Sequence, residues 1–488
     1  MTATHVLLIV YAGLMVGVGV YVTRRVRGSG DFFVASRSLP GSMVLVTMLA
    51  ANIGAGSTVG ATGLAYQHGL SAWWWSGSAA IGCLVLGLFV APRMHRLAGE
   101  HRFFTVGDFL EWRFDRSVRV VISAVLWLGT LALLAGQLLA MAWAFEVIAG
   151  LPRVAGALLS ALILVLYFSG GGLLASAWVN LLQLVTLLVG FMLALPFAWT
   201  AAGGWAGLRA AAGPGAAPGY GSFTGMGTAG ILGLAVVFVP SFFVSPGLVQ
   251  KTFGARSPSA ARWASLGNAG ALALFAFVPA VFGMAMRAVE PGLTNPELAL
   301  PRLTIDVLPP WVGGLALAAL FAAEISTADA VLFMLSTSLS RDLFQAVLRP
   351  KATDVELLRV GRLAAVAGGT LGVALALVLP SVASALKLFY GVMTAALFMP
   401  LVVGLLSRRP GPAHARVAIG ASILTTGGLL LALAGTPAVA WLPSVAGTVI
   451  AGLVFATAWI ARKDDRPGGG EEPPAGPGTS QGRLRIGR

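Results

Sequence analysis

The chain has 488 residues, 57% of them hydrophobic and only 10% charged, with a mean hydropathy of +0.86 and a formal net charge of +14. Apolar runs of about 20 residues, enough to cross a hydrocarbon core of about 30 Å, recur throughout, which excludes a soluble globular chain. Because the runs are continuous rather than alternating, they exclude an outer-membrane barrel too. They imply an all-α polytopic protein of the lipid bilayer.

Thirteen spans are predicted, over roughly residues 5–23, 41–66, 71–92, 119–148, 153–169, 176–200, 228–249, 263–287, 311–338, 360–380, 382–406, 414–435 and 440–461. Alternating the loops from an N-terminus outside puts all but five of the 32 Lys and Arg on the cytoplasmic side. The exceptions are Arg153, Arg209, Arg287, Arg302 and Lys387. Such a bias orients a multi-pass protein of the cell membrane with its C-terminus in the cytoplasm. The basic charge is thus spent on topology, and no nucleic-acid partner is implied.

The first span carries its positive residues, Arg24, Arg25 and Arg27, after the apolar run, so a retained helix is expected rather than a cleaved signal. The second, "MVLVTMLAANIGAGSTVGATGLAY", holds Gly54, Gly56 and Gly60 near its middle. Trp73, Trp74 and Trp75 open the third as an interfacial aromatic belt. Its Cys83 is the single cysteine, which leaves neither a disulfide framework nor a Cys-based metal site. The next stretch, "GEHRFFTVGDFLEWRFDRSVR", is expected to form a short helix at the inner surface.

The seventh span, "ILGLAVVFVPSFFVSPGLVQ", carries Pro240, Pro246 and Gly247. Four further spans come after each interrupted one, which points to a five-plus-five inverted repeat whose first helix in each half is broken. The bland alternative is that Gly and Pro are simply common in transmembrane helices.

The ninth span contains "LFAAEISTADAVLF", with Glu324, Ser326, Thr327 and Asp329 within six positions. An acid at mid-bilayer costs at least about 2.5 kcal/mol, so a function is expected there. Ser326 and Thr327 lie at the same depth as the break around Ile53, and freed carbonyls plus two hydroxyls suit a hard monovalent cation. The alternative is that each hydroxyl bonds back to a carbonyl one turn earlier. On a helical wheel Ala323, Ser326 and Thr327 share a face, Asp329 lies at its edge, and Glu324 points away. Lys387, read as the only lysine in a core span, has three possible roles: binding a substrate carboxylate, pairing with Glu324, or snorkelling. Beyond residue 462 the Gly- and Pro-rich, charged sequence reads as a disordered cytoplasmic tail.

Four motifs in order resemble the sodium:solute symporter family: "AANIGAGSTVGATGLAYQHGLSAWWW", "TVGDFLEWRF", "YFSGGGLLASAWVNLLQ" and "AALFAAEISTADAVLFMLSTSLSRDLF". The resemblance implies a LeuT-type transporter. Residues 1–40 would hold an extra helix and basic loop, 41–406 the ten-helix core, 407–462 two further helices and 463–488 the tail. It also implies a coupling sodium, the only metal expected, held by the carbonyls of Ala50, Ile53 and Ala323 and the side chains of Ser326 and Thr327. Where members with a second sodium carry a carboxylate this chain has Asn180, with Val179 before it; Asp329 is the alternative carboxylate for a second ion or coupling site, and one sodium per cycle is expected. Sugar-carrying members resemble one another in a Glu-Gln pair where this chain has Gly56 and Ser57, so a small organic acid or amino acid is favoured. Asn52, Gly56, Ser57, Lys387 and Tyr390 form the candidate substrate pocket.

Two alternatives stay open: proton coupling through Asp329 or Glu324, and a solute-sensing receptor, which would need a folded output domain. The five histidines sit at span ends or in loops, and "SGGG" at 169–172 lacks the Lys-Ser/Thr of a phosphate loop, so neither an enzyme nor an organic cofactor is expected.

Overall fold

The computed structural model describes residues 37–168, 172–211, 219–433, 435–436 and 441–460, with the side chains of 166–178 and 459 outside that description. The expected span 5–23 and the tail 463–488 lie outside the described residues. Within them regular structure is helical, apart from one bridge between Leu39 and Ala255. Nine helical stretches among the described residues are long and apolar enough to cross a membrane, and Gly41–Asn52, Arg153–Val165 and Leu442–Ala458 are shorter apolar helices.

The second predicted span breaks at its glycines. Helix α1 (Gly41–Asn52) ends where Ile53 leaves helical geometry (φ −97°, ψ 89°), and a π-helical turn over Gly56–Gly60 leads into α2 (Ala61–His68). A run so poor in side chains cannot hold a regular helix against tertiary demands. After α3 (Trp73–Val85) the chain reaches α4 (Val106–Arg113), the expected short helix of the "TVGDFLEW" loop, whose Thr105 and Asp108 form a capping box. The first half continues with α5 (Arg116–Ala149), α6 (Arg153–Phe168) and α7 (Gly172–Ala201).

The second half repeats the break. Helix α8 (Gly227–Val244) stops at Ser245 (φ −49°, ψ 118°), and Pro246 opens α9 (Pro246–Phe253). The apolar helix therefore runs past residue 249 and carries Lys251 into the interior, with 4% of its surface exposed. This corrects the reading of Lys387 as the only lysine of the core. The predicted span 263–287 is two helices, α10 (Pro258–Phe275) and α11 (Phe277–Val289), meeting at Ala276. Pro279 has no N–H to give and its ring crowds the carbonyl of Phe275, so the ladder cannot pass. Then come α12 (Pro310–Thr337), α13 (Asp354–Val378) and α14 (Val382–Leu406), and after them α15 (Pro412–Ala432) and α16 (Leu442–Ile460), which pack on α14 and on each other.

Helix α12 is the axis of the bundle. Its apolar window is 94% buried against 28% for α15, and it packs on α1, α5 and α7. Two polar clamps tie the helix ends together. Near the start of α5 the guanidinium of Arg119 meets Asp108 (2.8 Å), Glu111 (2.7 Å) and Asp342 (2.8 Å), and Asp342 also accepts from the Thr105 hydroxyl. In the segment between α11 and α12 the Glu297 carboxylate accepts the N–H groups of Val382 (2.9 Å) and Ala383 (3.1 Å), capping α14, and the indole N–H of Trp143 (3.2 Å). Burial pushes the Glu297 carboxyl above its usual range despite those three donors.

Candidate functional site

The break in α1 and the middle of α12 meet. Ser326 Oγ donates to the Ala50 carbonyl at 2.9 Å and lies 3.0 Å from the Ala323 carbonyl, and Thr327 Oγ1 donates to the same Ala50 oxygen at 3.0 Å. Four of the five expected sodium ligands, all neutral oxygens, are thus joined by a chain of hydrogen-bond contacts through Ser326 and the Ala50 carbonyl. Ile53, 1% exposed, turns its carbonyl out of the helical ladder beside them. Both hydroxyl protons bridge oxygens that a cation would otherwise hold, so loading an ion means rotating those protons away. Ser326 also shows the back-bond to a carbonyl of its own helix that the sequence left open; Thr327 instead reaches across to Ala50.

Glycine at position 54 permits this approach. A Cβ there would lie 2.3 Å from Thr327 Oγ1 and 2.9 Å from Gln137 Oε1. Gln137, on α5, was not singled out by sequence reasoning; its Oε1 accepts the Ala55 N–H at 3.0 Å and so holds the far side of the break. Only its buried amide in an apolar run could have drawn attention to it. Ser57 Oγ spans the break as well, accepting from Gly54 N–H (3.0 Å) and donating to the Asn52 carbonyl (2.9 Å).

The two acids part company. Glu324, fully buried, faces the π-helical turn: Thr58 Oγ1 lies 2.8 Å from both Glu324 Oε1 and the Gly54 carbonyl. One hydroxyl proton is thus shared between two acceptors, the Glu324 carboxyl and the Gly54 carbonyl. The pairing with Lys387 left open by the sequence is not made: Oε1 of Glu324 meets Thr58, and its buried Oε2 has no hydrogen-bond partner among the described residues. Asp329, 6% exposed, is instead the carboxylate that acts on the charge of Lys251. Asn180 is buried on α7, which packs on both α1 and α12. One turn further along, the amide of Gln183 is fully buried and has no hydrogen-bond partner among the described residues. Such a group calls for a water or a ligand.

Beside the ion-type site lies a narrow cavity lined by Asn52, Gly56, Ser57, Gln137, Thr327 and Tyr390, with Trp75, Phe238 and Phe242. Ring centroids of Phe238 and Tyr390 are 4.7 Å apart and those of Trp75 and Phe238 4.8 Å, so one wall is a cluster of tilted and edge-on aromatic rings. Lys387 does not line this cavity: its neighbour Leu386 does. The helical register turns the lysine elsewhere, to where its charge acts on His68. The aromatic wall was absent from the sequence reading: Trp75, assigned there to the interfacial belt, is instead buried at 3% exposure in the cavity wall, and Phe238 and Phe242 look like ordinary interior residues.

The sodium:solute symporter family model matches residues 32–413. Among curated relatives, the sodium/pantothenate symporter of Escherichia coli (strain K12) is 30% identical over 88% of this chain and 90% of its own length. The sodium/glucose cotransporter of Vibrio parahaemolyticus is 26% identical over 85% and 82%, and the Escherichia coli (strain K12) sodium/proline symporter 24% over 75% of each chain. The fold is also that of a Na+-coupled sialic acid symporter in a substrate-bound outward-open state, with a TM-score of 0.78 at 20% identity, covering 94% of this chain and 98% of that one. The chain belongs to the sodium:solute symporter family.

Proposed function

We propose that the protein is a sodium-coupled symporter of the cell membrane that imports a small organic acid or amino acid by alternating access, with one sodium per cycle. The carrying observation is the convergence of the Ser326 and Thr327 hydroxyls on the Ala50 carbonyl at the break of α1. The C-terminal end of α1 turns the negative end of its dipole toward a cation there, while the start of the segment leading into α2 offers the positive end to an anion in the cavity. That polarity favours a carboxylate. A hexose needs many convergent hydrogen bonds, whereas the Ser57 hydroxyl and Gln137 carbonyl oxygen are already engaged in holding the break. The relatives' names span a carboxylic acid, an amino acid and a sugar, so the cavity chemistry supports the choice among them. The charge asymmetry of the loops supports an N-terminus outside and a C-terminus in the cytoplasm.

A second reading, proton coupling, is favoured by one observation: Glu324 is a fully buried carboxyl that shares the single Thr58 proton with the Gly54 carbonyl. Purified protein in proteoliposomes separates the two. Candidate substrates come from a thermal-shift screen of amino acids, carboxylates and sugars with and without sodium, in which ligand linkage raises the melting temperature. An inward sodium gradient then drives uptake of the hit, and the Ser326→Ala/Thr327→Ala variant needs far more sodium. Equal uptake in potassium under a pH gradient alone would replace sodium by protons as the coupling ion.

A further inference from the structure

Lys251 has no role in the site described so far, yet it is a lysine in the interior of a membrane bundle. Its Nζ donates to the Thr47 carbonyl at 2.7 Å, and the carboxylate acting on its charge is Asp329. Thr47 precedes Ala50 by one turn on α1, and Asp329 comes one turn after Ser326 on α12. The two helices run antiparallel, so these steps go the same way. The site therefore has two levels about 4.5 Å apart along the helices. At one level the Ala50 carbonyl meets two hydroxyls. At the next the Thr47 carbonyl accepts from the Lys251 ammonium, a cation that belongs to the protein and on whose charge Asp329 acts. Helix α9 delivers it because the break at Ser245 and Pro246 re-aims the chain toward α1 and α12.

We propose that the ammonium group of Lys251 is a tethered cation: it takes, between the Thr47 carbonyl and the Asp329 carboxylate, the place of a second sodium, and so fixes the sodium count at one. This rests on the sodium coupling proposed above and adds the reason for its stoichiometry. Asp329 is then the counter-charge of a resident lysine, and its presence does not imply a second transported ion. An ammonium brings the same single positive charge as a sodium ion and donates N–H groups to the kinds of oxygen that would coordinate one, but it cannot leave with the substrate.

The test needs no substrate. The full-length protein in nanodiscs is titrated with 22Na+ alone, and the number of ions bound per chain is counted for wild type, Lys251→Gln, Lys251→Gln/Asp329→Asn and Lys251→Arg. The expected result is one sodium for wild type and Lys251→Arg, two for Lys251→Gln, whose Asp329 carboxylate, no longer facing an ammonium, takes a second ion, and one again for the double variant. Two sodium ions in wild type, or one in a Lys251→Gln protein that melts as cooperatively as wild type, overturns the proposal. If Lys251→Gln does not fold, wild type and the charge-balanced double variant still decide: two ions in either rejects it. No sodium bound by wild type rejects the coupling ion itself, an outcome distinct from a wrong count.

Discussion

Substituting Gly54 by alanine strikes the ion-type site through geometry alone. The added Cβ would sit 2.3 Å from Thr327 Oγ1 and 2.6 Å from Thr327 Cβ, so α12 or the break must move by roughly 1 Å, and neither contact is the loose end of a long side chain. Thr327 Oγ1 now lies 3.0 Å from the Ala50 carbonyl, and a shift of that size separates two of the expected ligands. Overpacking of this kind costs about 1–3 kcal/mol, and if the sodium-bound state bears it alone the ion binds about 5- to 150-fold more weakly. The assay is sodium titration of the purified protein by 22Na+ binding, with melting temperature measured in parallel. Gly420→Ala, where a Cβ meets nothing within 4 Å, is the control for adding a methyl group to a helix glycine. A Gly54→Ala protein with sodium affinity within about twofold of wild type would refute the placement of the ion between α1 and α12, since no ion held there could ignore the collision.

The same contacts, with the two polar clamps, set the outcomes of four other substitutions. Asp329→Asn removes the counter-charge of Lys251 about one turn from the sodium level; two unit charges roughly 6 Å apart at an effective dielectric of about 20 interact by about 3 kcal/mol, so sodium affinity in 22Na+ titration should fall by about 10- to 100-fold. Glu324→Gln keeps a partner for the Thr58 hydroxyl and should change melting temperature more than sodium affinity; the opposite pattern for these two variants would exchange their roles. Arg119→Met strands the buried carboxylate of Asp342 together with Asp108 and Glu111, a loss of about 3–5 kcal/mol, and an unchanged thermal melt would show the cluster to be dispensable. Because burial raises the Glu297 carboxyl, the folded chain keeps that proton where the unfolded chain has released it. Stability should therefore decline as pH rises from the ordinary glutamate value through the raised one, and Glu297→Gln should flatten that decline in melts across pH.

The features legible in the sequence are those where composition contradicts its surroundings. Gly54, Gly56 and Gly60, and the Pro246–Gly247 pair, interrupt apolar runs, and both spans break there, because neither residue type sustains a helix when neighbours pull on it. Ser326 and Thr327 were visible for the same reason, as oxygens in an alanine-rich helix. Lys251 was not, because the hydropathy pattern fades at Val249 while the helix continues to Phe253 and buries Gln250, Lys251 and Thr252 on the way. The partner of Glu324 was beyond reach for another reason. A helical wheel gives the direction of a side chain, and direction alone could not choose between Lys387 on α14 and Thr58 on the far side of the break. Gln137 and the aromatic wall depend on which helices become neighbours, which the period of a single helix does not encode.

Thr327 belongs to both halves of the site, and that gives the coupling a physical form. Its hydroxyl reaches the Ala50 carbonyl of the ion level, and the same side chain lines the cavity beside Asn52 and Gly56. Ser57 joins the two sides of the break through the Asn52 carbonyl and the Gly54 N–H, so a sodium ion held as proposed, ordering Ala50 and Ile53, would also order the floor of the cavity beside them. Linkage is reciprocal: whatever factor sodium gains for the substrate, the substrate must gain for sodium. On the proposed sites, a substrate seated between the aromatic wall and the break would hold the ion in place until both can leave, and an ion that departs early would loosen the floor beneath the substrate. The chain needs no rigid rod between two distant sites for this, because one broken helix is the wall of both.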